Sequence, residues 1–323
     1  MKTDQTKYGI NALVRPGQEA LLAKCKEAGI QWIRINIDWK SVQPDRAERH
    51  WSAIDAFIRT ASQLKLSVFA SISYTPKWAN GNQAKEWPPT NGDIWYAFVR
   101  EAVARFKMTV KHWGIWNEPN LQSFYRGTKQ QYIQNILLPG IKAIRDEDSG
   151  AMIVGPELSH QDKNWKEWLK YTAKHIISDI SIVSHHIYKD PSDTWRGLFS
   201  YLDGVPISDN RPCLRDVLKQ LKISKRVWIT EVGWRSDKIG EREQAKKYTD
   251  MLAGLAKRDW IEKVFFYELV EDSAAKEKFG ILGPKGGEKK AYEAYSNWIK
   301  TSGPTRRRRL TCDRRRGPRS SRR

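Results

Sequence analysis

The chain has 323 residues, of which 40% are hydrophobic and 29% charged, and its net charge is +20. Such ordinary globular usage excludes a wholly disordered chain, and three cysteines, Cys25, Cys213 and Cys312, are too few and too scattered for a disulfide framework or a metal cluster. Nearly half of the charge sits in one stretch, because residues 306–323 hold ten arginines against one aspartate.

In chain order, Met1–Thr6 is polar and lacks the apolar core of a leader, and no later run is long enough to span a bilayer. This predicts a cytoplasmic chain, or a secreted one whose leader has been removed. Short β-rich runs then alternate with amphipathic stretches. Strands are expected near Tyr8–Asn11, Trp32–Ile37, Ser67–Ser73, Trp113–Asn117, Met152–Gly155, Ile182–His186, Val227–Thr230 and Val264–Tyr267. A first helix opens at Pro16 and closes at Gly29, and later helices are expected over 51–64, 93–107, 128–145, 162–175, 208–222, 241–258 and 288–300. Eight parallel strands joined by helical crossovers close a (β/α)8 barrel, so the fold class is an α/β TIM barrel of one domain over residues 1–303. The long loops 74–92, with Pro76, Pro88 and Pro89, and 187–207, with Pro191 and Pro206, both follow strands. That is the side on which a barrel builds its active site. From residue 304 an Arg-rich tail with a single apolar side chain of any size, Leu310, is expected to be disordered.

Two acidic residues end strands facing that mouth. Glu118 follows Asn117 in Trp113-Gly-Ile-Trp-Asn-Glu-Pro-Asn120, and Glu231 ends the apolar run Val227-Trp-Ile-Thr-Glu-Val-Gly-Trp234, where Gly233 permits a sharp turn. A pair of carboxylates across a barrel mouth is the equipment of glycoside hydrolysis, one giving a proton to the leaving oxygen while the other attacks the anomeric carbon. No metal or organic cofactor is needed. Asn-Glu-Pro at the fourth strand and Thr-Glu at the seventh resemble the paired signatures of the clan A retaining glycoside hydrolases, with Glu118 as acid/base and Glu231 as nucleophile.

The resemblance runs over about residues 8 to 300 and is nearest to the family 39-like branch. It implies that Arg34 on the second strand supports the nucleophile, that Trp78 in Tyr74-Thr-Pro-Lys-Trp-Ala79 shapes the sugar pocket, and that His186 and Tyr188 serve as the His-x-Tyr pair, Tyr188 bonding to the nucleophile. Strand alternation puts His186 and Tyr188 on one face and turns His185 to the other, which argues against a His185–His186 metal site. At the eighth strand either Tyr267 or Glu268 lies near the sugar, and Asn117 is expected to bond a sugar 2-hydroxyl. Glu157, in Gly155-Pro-Glu-Leu158, is expected at the rim, holding a substrate hydroxyl or capping the next helix.

The expected activity is therefore double displacement on an oligo- or polysaccharide. Two rivals are a carbohydrate-binding barrel without turnover, which the presence of both carboxylates argues against, and a binder of anionic polymer. The Arg run holds no aromatic residue to stack on bases, so any nucleic-acid binding is non-specific and confined to the tail.

Overall fold

The computed structural model describes residues 7–188, 195–204 and 213–302. Eight strands, β1 (Tyr8–Asn11), β2 (Trp32–Asp38), β3 (Ser67–Ser73), β4 (His112–Ile115), β5 (Met152–Ser159), β6 (Ile182–Ile187), β7 (Arg226–Val232) and β8 (Ile261–Phe266), each pair with the next. β8 returns to pair with β1 in parallel, so the sheet closes into a (β/α)8 barrel.

The period of two along each strand sorts side chains between two environments. On β2, Ile33, Ile35 and Ile37 join the main apolar core beneath the helices, whereas Trp32 and Arg34 turn into the barrel. The barrel floor is a separate apolar layer of Trp32, Phe69, Val154, Ile182, Trp228 and Phe265. Trp32 and Trp228 meet edge to face with ring centroids 5.4 Å apart, and Phe69 meets Trp228 similarly at 5.8 Å. Such pairs fill the interior and hold it rigid. One step toward the C-terminal mouth the inward positions become polar, with Asn11, Arg34, Ser71 and Glu157 all buried. This polar layer thus rests on an aromatic plug.

Helices Ser52–Gln63, Gly92–Phe106, Trp165–Ile176, Glu241–Leu255 and Lys290–Ser302 fall close to the expected spans. The expected 128–145 helix is interrupted: Thr128 and Gln131 form a capping box, then Tyr132–Leu137 widens into a π-helical stretch before Leu138–Glu147 resumes. Pro139 follows immediately, and a proline cannot donate to the ordinary ladder. The first helix is shorter than expected, a 3-10 turn at Glu19–Leu22 leading into Ala23–Ala28, closed by Gly29. Part of the expected 187–207 loop is a helix, Trp195–Asp203, and the expected 208–222 helix covers Leu214–Gln220.

Two strand ends also differ from expectation. β4 stops at Ile115, two residues early, because Trp116 takes a left-handed φ of 72°. β5 continues past Pro156 to Ser159 across a register shift between Gly155 and Leu158, which is how a strand tolerates a residue without an N–H. Cys25 and Cys213 are buried free thiols. Cys312, Pro191, Pro206 and the Arg-rich tail lie outside the described residues. Among the described residues, no helix is long and apolar enough to cross a membrane.

Candidate active site

The C-terminal mouth of the barrel opens into a cleft of about 2010 Å³ whose lining includes Arg34, Asn117, Glu118, Tyr188, Glu231 and Tyr267. Asn117 and Glu118 reach it because the chain leaves β4 through two left-handed residues, Trp116 and Glu118, the latter with φ 44°. The Trp116 ring is fully buried, its Nε1 donating to Phe124 O at 3.0 Å, and anchors this turn from behind. Glu231 lies within β7 opposite His186 of β6, just after a register shift. Gly233 is required here by close approach rather than by a turn, since a Cβ would lie 2.3 Å from the Tyr267 carbonyl oxygen.

Arg34 organises the floor of the cleft. Its Nη1 donates to Glu231 Oε1 at 2.7 Å and to Asn11 Oδ1 at 2.7 Å, and its Nη2 donates to Asn117 Oδ1 at 3.0 Å. Its Nε and Nη2 also donate to Glu157 Oε2 at 2.9 and 2.6 Å. Burial disfavours the guanidinium charge, yet Glu157 and Glu231 reverse that and raise its pKa further. Because Arg34 can only donate, the Asn117 amide is fixed with its oxygen inward, leaving Nδ2 to donate into the cleft. Asn11 in turn is held by bonds from its Nδ2 to Thr230 O at 3.1 Å and Phe266 O at 3.3 Å.

The second oxygen of Glu231 accepts from the Tyr188 hydroxyl at 2.8 Å. Burial first, then the negative charge of Glu231, push the Tyr188 phenol well above its usual range, so it remains a donor. His186 stands between three carboxylates: Nδ1 is 3.0 Å from Glu118 Oε1 and 3.7 Å from Glu231 Oε2, and Nε2 is 3.4 Å from Glu157 Oε2. Burial alone would lower the imidazole pKa, but Glu231, Glu118 and Glu157 together raise it to about 9. At neutral pH the ring is an imidazolium that donates from both nitrogens.

Glu118, Glu231, Arg34, Asn117, His186 and Tyr188 are therefore brought into one cluster. Tyr267 joins the cleft wall, its ring edge to face with Tyr188 and Phe279. Glu268 turns away from the lining, buried 3.5 Å from Arg15 Nη2, and burial pushes its carboxyl up to about 7 against the pull of Arg15. Trp78 is not part of the cleft lining either. Its ring packs edge to face on Trp39 at 5.6 Å, Arg46 covers it at 4.9 Å, and its Nε1 donates to Gln43 O at 3.1 Å. The aromatic side chain of that run that lines the cleft is Tyr74. Glu157 neither holds the rim nor caps a helix; it is fully buried beneath the cleft. His185 packs in the core behind, with Nε2 3.0 Å from His160 Nδ1 and its ring against Trp165.

Glu118, His186 and Glu231 each present a ligating atom within 4.8 Å of the others, the span of a small cation site. The donor set argues for another use. Glu231 is already bonded to Arg34 and Tyr188, and the guanidinium and imidazolium supply positive charge in the same place.

Asn11, Ser71 and Phe279 escaped the sequence reading. A polar side chain at an inward position of an otherwise apolar strand was the available signal for Asn11 and Ser71. Phe279 sits on an irregular segment after β8 that carries no such pattern.

A closed (β/α)8 barrel with facing glutamates at the ends of its fourth and seventh strands has the architecture of a clan A glycoside hydrolase. The chain belongs to the cellulase family, glycosyl hydrolase family 5, which matches residues 3–265. A β-xylosidase of Geobacillus stearothermophilus is 22% identical over 157 residues, 43% of this chain and 30% of that enzyme. In fold the chain is similar to a family 39 glycoside hydrolase of Bacteroides cellulosilyticus, with a TM-score of 0.72 and 16% identity over 92% of this chain and 64% of the other. It is also similar to a glucosidase of Croceicoccus marinus, with a TM-score of 0.71 and 13% identity over 92% and 68%. The chain thus spans less than a third of the xylosidase and under two thirds of the family 39 enzyme. The resemblance read from the sequence holds for clan A and its family 39-like branch, and the matching family itself is family 5.

Proposed function

We propose that the protein is a retaining β-glycoside hydrolase acting on an oligo- or polysaccharide, with Glu118 as acid/base and Glu231 as nucleophile. The observation that carries this reading is the spacing of the two carboxylates, which have oxygens within 4.8 Å of one another. Retaining pairs stand about 5–5.5 Å apart as carboxyl groups, and so near an approach of one oxygen from each suits that arrangement better than the gap of about 6.5–9.5 Å that holds a water between an inverting pair. Their surroundings divide the labour. Glu231 Oε1 and Oε2 are held by Arg34 and Tyr188, donors that fix the orientation of an attacking carboxylate. Glu118 Oε1 meets the His186 ring, which leaves Oε2 to carry the proton toward the leaving oxygen.

In the first step the proton passes from Glu118 to the glycosidic oxygen while Glu231 attacks the anomeric carbon, giving a glycosyl ester and the freed alcohol. In the second, Glu118 takes a proton from water, which displaces Glu231. The Asn117 amide donor would bond the sugar 2-hydroxyl and tighten as the ring flattens toward the transition state. A cleft of about 2010 Å³ exceeds an ordinary small-molecule pocket of about 300–1,000 Å³ and fits several sugar units. β-Xylosides and β-glucosides are the first substrates to try, since a xylosidase and a glucosidase are among the similar proteins. The test is proton NMR of first-formed product: β configuration supports the reading, and α product or no turnover across a panel of aryl β-glycosides and polysaccharides overturns it.

A further inference from the structure

Glu157 is the one fully buried member of the carboxylate cluster, and it has no direct use in the chemistry proposed above. Every polar atom it presents is nonetheless engaged. Oε2 accepts from Arg34 Nε and Nη2 and stands 3.4 Å from His186 Nε2, and Oε1 accepts from Ser71 Oγ at 2.5 Å. Its backbone N–H donates to Ser184 Oγ at 2.9 Å, while its carbonyl accepts the Glu118 N–H at 3.1 Å. One residue therefore reaches both sides of the reaction. Through Arg34 it touches what holds Glu231, and through His186 and its own carbonyl it touches what holds Glu118.

The barrel is shaped around this carboxylate. Gly114 of β4 faces it, and a Cβ there would lie 2.2 Å from Glu157 Oε1 and 2.8 Å from Ser71 Oγ. Glu157 itself takes a left-handed φ of 51° at the register shift of β5, which turns its side chain inward where a regular strand would not. A backbone conformation that disfavours a side chain, joined to a glycine that makes room for that side chain, is an arrangement for which packing alone gives no reason. Burial would favour the neutral acid, but Arg34 and then His186 hold the carboxyl below its usual range, so the group is a fixed anion.

We infer that Glu157 is a positioning residue that ties the acid/base to the nucleophile, fixing Arg34 and His186 in one charged lattice so that both carboxylates keep their places. This rests on the reading of Glu118 and Glu231 given above. Glu157 does not line the cleft, so it acts on turnover rather than on substrate affinity. Because it serves both carboxylates, its loss slows glycosylation and deglycosylation together, and a better leaving group gives no rescue.

The charged and titratable groups around it are Arg34 on β2, Tyr132 behind β4, Glu118 after β4, His186 on β6 and Glu231 on β7, with His185 beside His186 and Tyr188 beside Glu231. Removing one negative charge from their midst makes every remaining proton easier to lose. Both limbs of the kcat/KM profile then move to lower pH, whichever member of the coupled Glu118–His186 pair gives up the proton of the basic limb.

The experiment first establishes that the wild type hydrolyses an aryl β-glycoside with retention; failure there overturns the functional reading and not the tie. Glu157→Gln is then expected to lose about 100-fold in kcat, with KM changed less than threefold, equally for good and poor leaving groups, and with both pH limbs moved down. Gly114→Ala keeps every charge but displaces the carboxylate, so kcat falls while the limbs move less than in Glu157→Gln. Wild-type kcat in either variant, or a loss from Glu157→Gln confined to poor leaving groups, overturns the inference. A measurement that needs neither activity nor a folded variant at position 157 is nitrogen NMR of the wild type with labelled histidine, assigned by His186→Gln. Both ring nitrogens of His186 protonated at pH 7 support the tie, and a neutral ring overturns it.

Discussion

Tyr188 and Glu231 come from neighbouring strand ends and meet at 2.8 Å, the phenol donating to the carboxylate oxygen that Arg34 does not hold. The carboxylate is pinned from two directions and cannot rotate without breaking one bond. A hydrogen bond to a charged group contributes about 1.5–3 kcal/mol. Tyr188→Phe is accordingly expected to lower kcat/KM by about 10–100-fold, with little change in melting temperature because the ring still packs against Tyr267 and Phe279. Steady-state kinetics with circular dichroism measures both. A fall of less than threefold would show that Arg34 alone suffices.

Trp78 is expected to behave as a packing residue. Its contacts with Trp39, Arg46 and the Gln43 carbonyl join the loop after β3 to the turn after β2. Trp78→Ala should cost about 2 kcal/mol of stability and leave KM for a small aryl glycoside within threefold. Tyr74→Ala, which removes a cleft-lining ring, should do more to KM. If Trp78→Ala raises KM at unchanged stability, the indole belongs to the sugar site as its sequence context implied.

The His186 imidazole predicts a pH dependence of stability. Its folded pKa of about 9 lies above the ordinary value of 6.5, so its stabilising contribution is complete below pH 6.5 and is lost as pH rises toward 9. Glu268 loses its own contribution between 4.5 and about 7, and Lys7, lowered to about 8 by burial, gains one only above that. The interval from pH 7 to pH 8 therefore belongs mainly to His186. Unfolding free energy from urea titrations should fall by about 1 kcal/mol across it in the wild type. His186→Gln should abolish that slope, and an unchanged slope would assign it elsewhere.

What could be read in the sequence follows from what strand periodicity carries. The run Trp32–Asp38 announces both its strand and its inward Arg34, because apolar isoleucines alternate with it and fix its face. Glu118 and Glu231 stand out in the sequence because each follows an apolar run that reads as a strand. Glu157 reads as a rim residue because Pro156 looks like a strand end; only the register shift of β5 shows the chain continuing and turning that carboxylate inward. Trp78 is ambiguous in the sequence for a different reason. A tryptophan in a polar loop has the same local pattern whether its ring faces a sugar or another ring, and Trp39, the residue that decides, lies 39 positions earlier in the chain.

The acid/base and nucleophile roles separate most sharply by leaving group. Glu118→Gln and Glu231→Gln should each nearly abolish hydrolysis of an ordinary β-glycoside, whose alkoxide cannot depart without a proton. A dinitrophenolate needs little protonation, so Glu118→Gln should still form the glycosyl ester with that substrate and then stall, because no base activates the water of the second step. Mass spectrometry of the rapidly quenched protein should show the added sugar. Glu231→Gln cannot form the ester with any leaving group, since an amide lacks the carboxylate that attacks. Azide, which needs no deprotonation, should restore turnover to Glu118→Gln and release a β-glycosyl azide, attack occurring from the face opposite the ester. With Glu231→Gln, any azide product should be α, formed by one direct displacement. A β-azide from the Glu231 variant, an ester on that variant, or full activity in either one would remove Glu118 and Glu231 from these roles.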